Sequence, residues 1–204
     1  MVFGRILSLA EAAPLRFAVA YGAAKTVAAD ALVQRYLEER ETLDMRRQGV
    51  FLLFGCFQVG FVQYQLYVSA FTRAFPTAAA FAAAPLAAKL SDRPGIARLG
   101  AQVAIDQFLY HPFCYFPVFY TCKELCQTDK LAEPSALVSR AIAAYVPNAL
   151  EDLKALWTIF IPVSILQFSV MPMHLRVPFT ATAGFVWCGI LSGMRGSRRP
   201  GDAS

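Results

Sequence analysis

The stretch Gln48–Thr72, QGVFLLFGCFQVGFVQYQLYVSAFT, holds 25 residues without one charged side chain. Wound as an α-helix at about 1.5 Å per residue, it is long enough to cross a hydrocarbon core of about 30 Å. The chain repeats the pattern on either side. Gln107–Cys122 is uncharged and continues backward through Asp106 to Leu99, Ala155–Leu175 adds 21 uncharged residues, and Val177–Met194 another 18. Leu15–Leu37 is rich in Ala, Val, Leu and Tyr, interrupted by Lys25 and Asp30. A soluble domain of 204 residues buries one such helix but not four. The sequence therefore reads as all-α, a polytopic transmembrane helical bundle forming one domain over residues 1–204. Its expected spans are Leu15–Val33, Gly49–Phe71, Leu99–Thr121 and Ala149–Met171. If Pro172–Pro178 is a hairpin turn, Phe179–Met194 is a fifth.

Composition narrows the class further. Apolar residues make up 57% and charged residues only 16%. A typical soluble domain carries about 25% charged residues. The net charge of +5 comes from scattered basic residues, which gives no footprint for a nucleic-acid partner. Five cysteines without a dense cluster exclude a secreted disulfide scaffold. Met1–Arg16 shows no long apolar run followed by a small-residue cleavage site, so no secretory signal is expected. Leu15 already opens the first span, which leaves any import information internal. Lys and Arg divide nine to eight between the two sides of a four-span topology, so charge sets no orientation. A fifth span would carry the tail across and alter that count.

The connections follow from charges and helix breakers. Glu38–Gly49 is a charged loop. Pro76–Arg98 is Ala-rich and punctuated by Pro76, Pro85 and Pro94-Gly95, with room for a short helix in the interface. Ser135 after Pro134 caps a short segment to Tyr145. Asn148 with Glu151 three residues on resembles a capping box that opens the next long helix.

The last third carries a distinctive spacing. It reads Trp157-x2-Phe160, then Gln167-Phe168-x3-Pro172-x3-Arg176-x10-Trp187-x4-Ser192. Upstream stand Asp106-Gln107-x4-Pro112 and, in the first helix, Pro14, Asp30, Gln34 and Glu38. Together these resemble the Mpv-seventeen / peroxisomal-membrane-protein-twenty-two family, whose signature runs W-x2-W-P-x2-Q-x2-N-F-x3-P-x3-R-x10-W-x4-S. Phe160 stands where that signature has its second Trp, and its Pro is displaced to Pro162. Ser164 replaces the Gln and Gln167 the Asn. The resemblance implies an organellar membrane protein of the mitochondrial inner membrane, with the peroxisomal membrane as the alternative. It also implies a link to mitochondrial DNA maintenance, metabolite passage or stress responses. Two functions stay open. One is a structural or accessory subunit of a larger inner-membrane complex, with other membrane subunits and the lipid bilayer as partners. The other is a pore or channel for small metabolites or ions. The changes at Phe160, Ser164 and Gln167 favour the subunit, because a retained channel keeps its polar lining.

Ionisable groups inside a span are expensive and need an explanation. Asp106, with Gln107 beside it, is either a pore-lining carboxylate or a buried structural partner for Arg176 or Lys25. Arg176 lies between Pro172 and Pro178, where it either donates to carbonyls freed by the prolines or snorkels at a surface turn. Lys25 and Asp30 are about 140° apart around a helix and do not face each other. His111 and His174 are the only histidines, and there is no Gly-rich phosphate loop and no G-x-S-x-G. The expectation is a non-enzymatic protein with no catalytic residue, cofactor or metal. Cys122-x3-Cys126 reads as a pair of small buried hydrophobes rather than a metal or redox site. Gly184, Gly189 and Gly193, with Ser192 beside them, form a small-residue face expected to pack helices closely.

Overall fold

A computed structural model describes residues 2–127 and 133–195, and among these every regular element is helical. Eight helices follow one another. α1 is Val2–Ala12 and α2 is Pro14–Leu37, the two meeting at an angle of 120°. Pro14 suits a first helical position, because its missing amide donor would be unpaired there in any case. α3 is Met45–Ala74, opened by Asp44, whose carboxylate accepts from the Arg47 amide at 2.9 Å. The short α4 (Ala78–Ala83) and α5 (Leu86–Ser91) occupy the Ala-rich connection. α6 covers 93–127 and α7 is Pro134–Val170. A single 3₁₀ turn at Met173–Leu175 leads into α8, Arg176–Arg195.

The long helices alternate in direction. At one end of the bundle, His174 Nε2 approaches Glu11 to 3.6 Å and the Thr72 hydroxyl reaches Met173. At the other end, Arg46 donates to the Leu125 carbonyl at 3.0 Å. α1, the 75–92 connection and the 171–175 turn thus share one end, and the 38–44 loop sits at the other.

α3 and α7 are each long and apolar enough to cross a membrane, and α1 with α2 makes a third if the kinked pair is one broken span. α6 has the length but not the apolarity, because its middle carries Asp106, Gln107, Tyr110 and His111, all buried. Those side chains are polar towards the bundle, while Phe108, Leu109 and Phe113 face outward. That is the pattern of a bundle in lipid, with polar groups inside and apolar groups outside.

One expectation needs correction. Asn148 and Glu151 do not open a helix. α7 already starts at Pro134 and runs through them, and the Asn148 amide donates to the Ala144 carbonyl. Pro147 and Pro162 are both carried inside this helix. A close helix approach is found at a second set of glycines. It is made by Gly22 of α2 against Gly55 and Gly60 of α3. A methyl on Gly22 would stand 2.6 Å from the Gly55 carbonyl oxygen, and one on Gly60 would run into Val19 Cα. Thr26 ties the crossing by donating to the Phe51 carbonyl at 2.8 Å. Gly184 instead faces the Lys25 side chain. Gly189, Ser192 and Gly193 fall on the part of α8 whose surroundings lie outside the described residues.

Candidate functional site: the buried polar core

Asp106 is fully buried, and donors from three helices converge on it. The Tyr67 hydroxyl of α3 donates to Oδ1 at 2.7 Å. Gln107 Nε2 and the Ser164 hydroxyl of α7 donate to Oδ2, both at 2.7 Å. His111 Nδ1 is 2.7 Å from the Asp106 carbonyl oxygen and 3.5 Å from Oδ1. Hydroxyl and amide donors thus fill the acceptor positions of both carboxyl oxygens.

The expected partner is therefore wrong. Asp106 makes no ion pair with Arg176 or Lys25. Tyr67 stands between Asp106 and Arg176, giving its hydroxyl to the carboxylate and accepting Arg176 Nη1 at its own carbonyl at 3.1 Å. Arg176 is wholly buried, so it does not snorkel. Its guanidinium lies over the Phe168 ring at 5.3 Å, and Nε and Nη2 have no hydrogen-bond partner. Phe168 is buried between Tyr67 and Phe71. Pro172 follows the end of α7 and sets the turn that delivers Arg176 to this place.

The spacing Asp106-Gln107-x4-Pro112 acquires a physical meaning here. Through Ile105–Tyr115, α6 follows the wider i→i+5 pattern. Pro112 has no amide to offer the carbonyl five residues back, that of Gln107. Trp157 Nε1 of α7 supplies the missing donor at 3.0 Å. Trp157 and Pro112 therefore belong to one arrangement, which holds α6 against α7 beside Asp106.

Gln167 accepts from the Thr180 hydroxyl of α8, and Thr180 also donates to the Arg176 carbonyl. Trp187 is buried against Phe116 and Phe160. Phe160, in the place of the family's second Trp, packs between His111, whose ring is tilted to it, and Trp187, which it meets edge to face.

A second cluster clasps α2 to α3. Asp30 accepts from Arg47 Nε at 2.7 Å, Gln34 at 2.7 Å and Gln48 at 2.9 Å. Arg47 Nη1 also binds Glu38 at 2.7 Å, and Gln34 accepts the Asp44 amide at 2.7 Å. Asp30, Gln34 and Glu38 are the first-helix positions that the spacing singled out, and here they act together. Glu39 takes a left-handed φ of 52° to turn the chain away after α2.

Several core residues escape a search for charges. Gln58, Gln63 and Tyr67 are all buried in α3. Their spacing of five and four along an uncharged run was the available signal for one inward face. Asp152 is fully buried and accepts from Tyr120. The five cysteines are free thiols. In the last turns of α6, beyond the crossing part, burial pushes Cys122 up to about 12 and Cys126 up to about 11. Burial thus disfavours the thiolate form of both at neutral pH.

Lys25, Gln63, His111, Thr180, Gly184 and Trp187 help to line a small cavity of about 20 Å³ in the middle of the bundle. Around it and the Asp106 network, several buried polar atoms have no hydrogen-bond partner: Oε1 of Gln58, Gln63 and Gln107, Nε2 of Gln167, and Nε1 of Trp187.

Residues 140–192 match the family model described as Mpv17 / PMP22 family. No curated protein and no solved structure matches the chain. The matched segment contains Trp157, Ser164, Gln167, Phe168, Pro172, Arg176 and Trp187, the α7–α8 half of the polar core. With its all-helical bundle and membrane-length apolar helices, the chain is an all-α membrane protein whose residues 140–192 are similar to the Mpv17 / PMP22 family.

Proposed function

We propose that this protein is a non-enzymatic membrane conduit for small polar solutes, held here in a closed form. The observation that carries the reading is the row of unpartnered polar atoms at Gln58, Gln63, Gln107, Gln167 and Trp187 inside an apolar bundle. Each unsatisfied buried polar group costs about 1–3 kcal/mol. A hydrated path through the bundle would satisfy them, and a permanently dry core would not. The reason for favouring a purely structural subunit also weakens. Ser164 and Gln167 point inward and take part in polar contacts, so α7 keeps a polar interior despite its departures from the family signature. The mitochondrial inner membrane is the proposed location, with the peroxisomal membrane as the alternative, and organelle fractionation decides between them.

The test is conductance of the purified protein in planar bilayers, with efflux of sized solutes from liposomes beside it. Wild-type protein conducts, and Gln63→Leu, which removes one inward polar group without touching Asp106, lowers the conductance at least several-fold. Silent bilayers containing folded, inserted protein overturn the reading.

A second reading is favoured by a different observation. The interior space of about 20 Å³ is room for about one water, which suits a packed structural or accessory subunit of a larger inner-membrane complex. Co-migration with such a complex on a native gel, together with silent bilayers, would support it.

A further inference from the structure

We propose that the cavity beside Lys25 is a binding site for a single monatomic anion of halide size. Lys25 lies midway along α2 with 9% of its surface exposed, and among the described residues it makes no ion pair with a carboxylate. Its closest polar contact is the Cys188 sulfur at 3.5 Å, a weak acceptor. The ammonium sits against Gly184, 3.0 Å from where a methyl on that glycine would stand. Gly184 and Lys25 both line the cavity.

The other walls supply donors. Trp187 is 1% exposed, and its indole N–H lies near the Tyr115 hydroxyl without completing a hydrogen bond among the described residues. Tyr115 brings a hydroxyl, and Thr180, His111 and Gln63 complete the polar lining. Asp106, beyond His111, is not available as the counter-charge, because Tyr67, Gln107 and Ser164 already occupy its oxygens. A cation in low dielectric needs an anion near it, and here the protein supplies N–H groups and a space in place of one. At about 20 Å³ the space admits one water-sized particle, so phosphate, sulfate and organic acids are excluded by size. The site is independent of the conduit reading, since a bundle that passes nothing can still hold one ion.

The experiment is thermal unfolding of the detergent-purified full chain at constant ionic strength, in sodium chloride, sodium bromide or sodium gluconate. Chloride and bromide raise the midpoint saturably over gluconate, by about 5–11 °C at about a hundred times Kd. Lys25→Met, close in length and uncharged, abolishes the difference between the salts. Gly184→Ala crowds the ammonium and weakens halide binding at least several-fold while leaving every polar group in place. Equal midpoints of the wild type in chloride and gluconate overturn the proposal. So does a halide effect that survives Lys25→Met, which marks a general salt effect on the surface. Bilayer conductance is read separately, so loss of one result does not decide the other.

Discussion

Removing the Asp106 carboxylate is the most direct test of the buried core. Asp106→Ala leaves three buried donors, on Tyr67, Gln107 and Ser164, without their acceptor. In water-soluble proteins each orphaned donor costs about 1–3 kcal/mol. Between membrane helices hydrogen bonds average about 0.6 kcal/mol, because the unfolded chain in a membrane also finds partners. Taking about 1 kcal/mol per donor gives a loss of about 3 kcal/mol, or about 6–12 °C for a chain of this length. Asp106→Asn should be milder. Its carbonyl takes the Oδ2 position and still accepts from Gln107 and Ser164. Its NH₂ faces Tyr67, whose hydroxyl can turn to accept, so about one bond is weakened and the loss is about 2–4 °C. The five free thiols supply the assay: a fluorogenic maleimide reports their exposure as detergent-solubilised protein is heated at a fixed scan rate. In a Tyr67→Phe background, Asp106→Ala should cost about 1 kcal/mol less, since one donor is already gone. Arg176→Gln should add to Asp106→Ala without coupling, because Arg176 reaches only the Tyr67 main-chain carbonyl, which neither change removes. Asn as damaging as Ala, or strict additivity of Asp106→Ala with Tyr67→Phe, would refute the convergent-donor reading.

Two further substitutions probe the joints between helices. Arg47→Met strips Asp30 and Glu38 of a shared cation whose side chain is only 17% exposed, and a loss of about 3 kcal/mol is expected by the same thermal assay. Arg47→Lys should not restore it, because Nε and Nη1 bind two different carboxylates and a single ammonium cannot reproduce that fork. Gly60→Ala should force α2 and α3 apart at Val19 and lower the midpoint by about 2–12 °C, at the overpacking cost of about 1–3 kcal/mol. Gly49→Ala has nothing within 4 Å of the added methyl and should leave the midpoint unchanged or slightly raised. Equal effects at Gly60 and Gly49 would place the helix crossing elsewhere.

The sequence announces some of this structure and conceals the rest for identifiable physical reasons. The charge-free run Gln48–Thr72 marks α3 because hydrocarbon tolerates no unpaired charge, and α3 extends only three residues further at its start and two at its end. α7 was harder to bound. Pro147 and the Asn148–Glu151 pair imitate a helix boundary, yet the helix runs through both. Proline is tolerated inside membrane helices where neighbouring groups satisfy the freed carbonyls, and Pro112 illustrates the device through Trp157. Asp106 was visible as a charge in an apolar run. Its partners were not, because reasoning from charge looks for a cation, whereas hydroxyl and amide donors satisfy a carboxylate equally well. Tyr67, the residue joining Asp106 to Arg176, carries no charge and stands in a run read only for its length. This arrangement has a consequence for the core. The one carboxylate at its centre uses no cation, and the two cations nearest it, Lys25 and Arg176, use no carboxylate. The interior therefore holds positive charge that its own side chains leave uncompensated, beside polar atoms that its own side chains leave unbonded. A core built only for packing gains nothing from either feature, whereas one that admits water or an anion requires both.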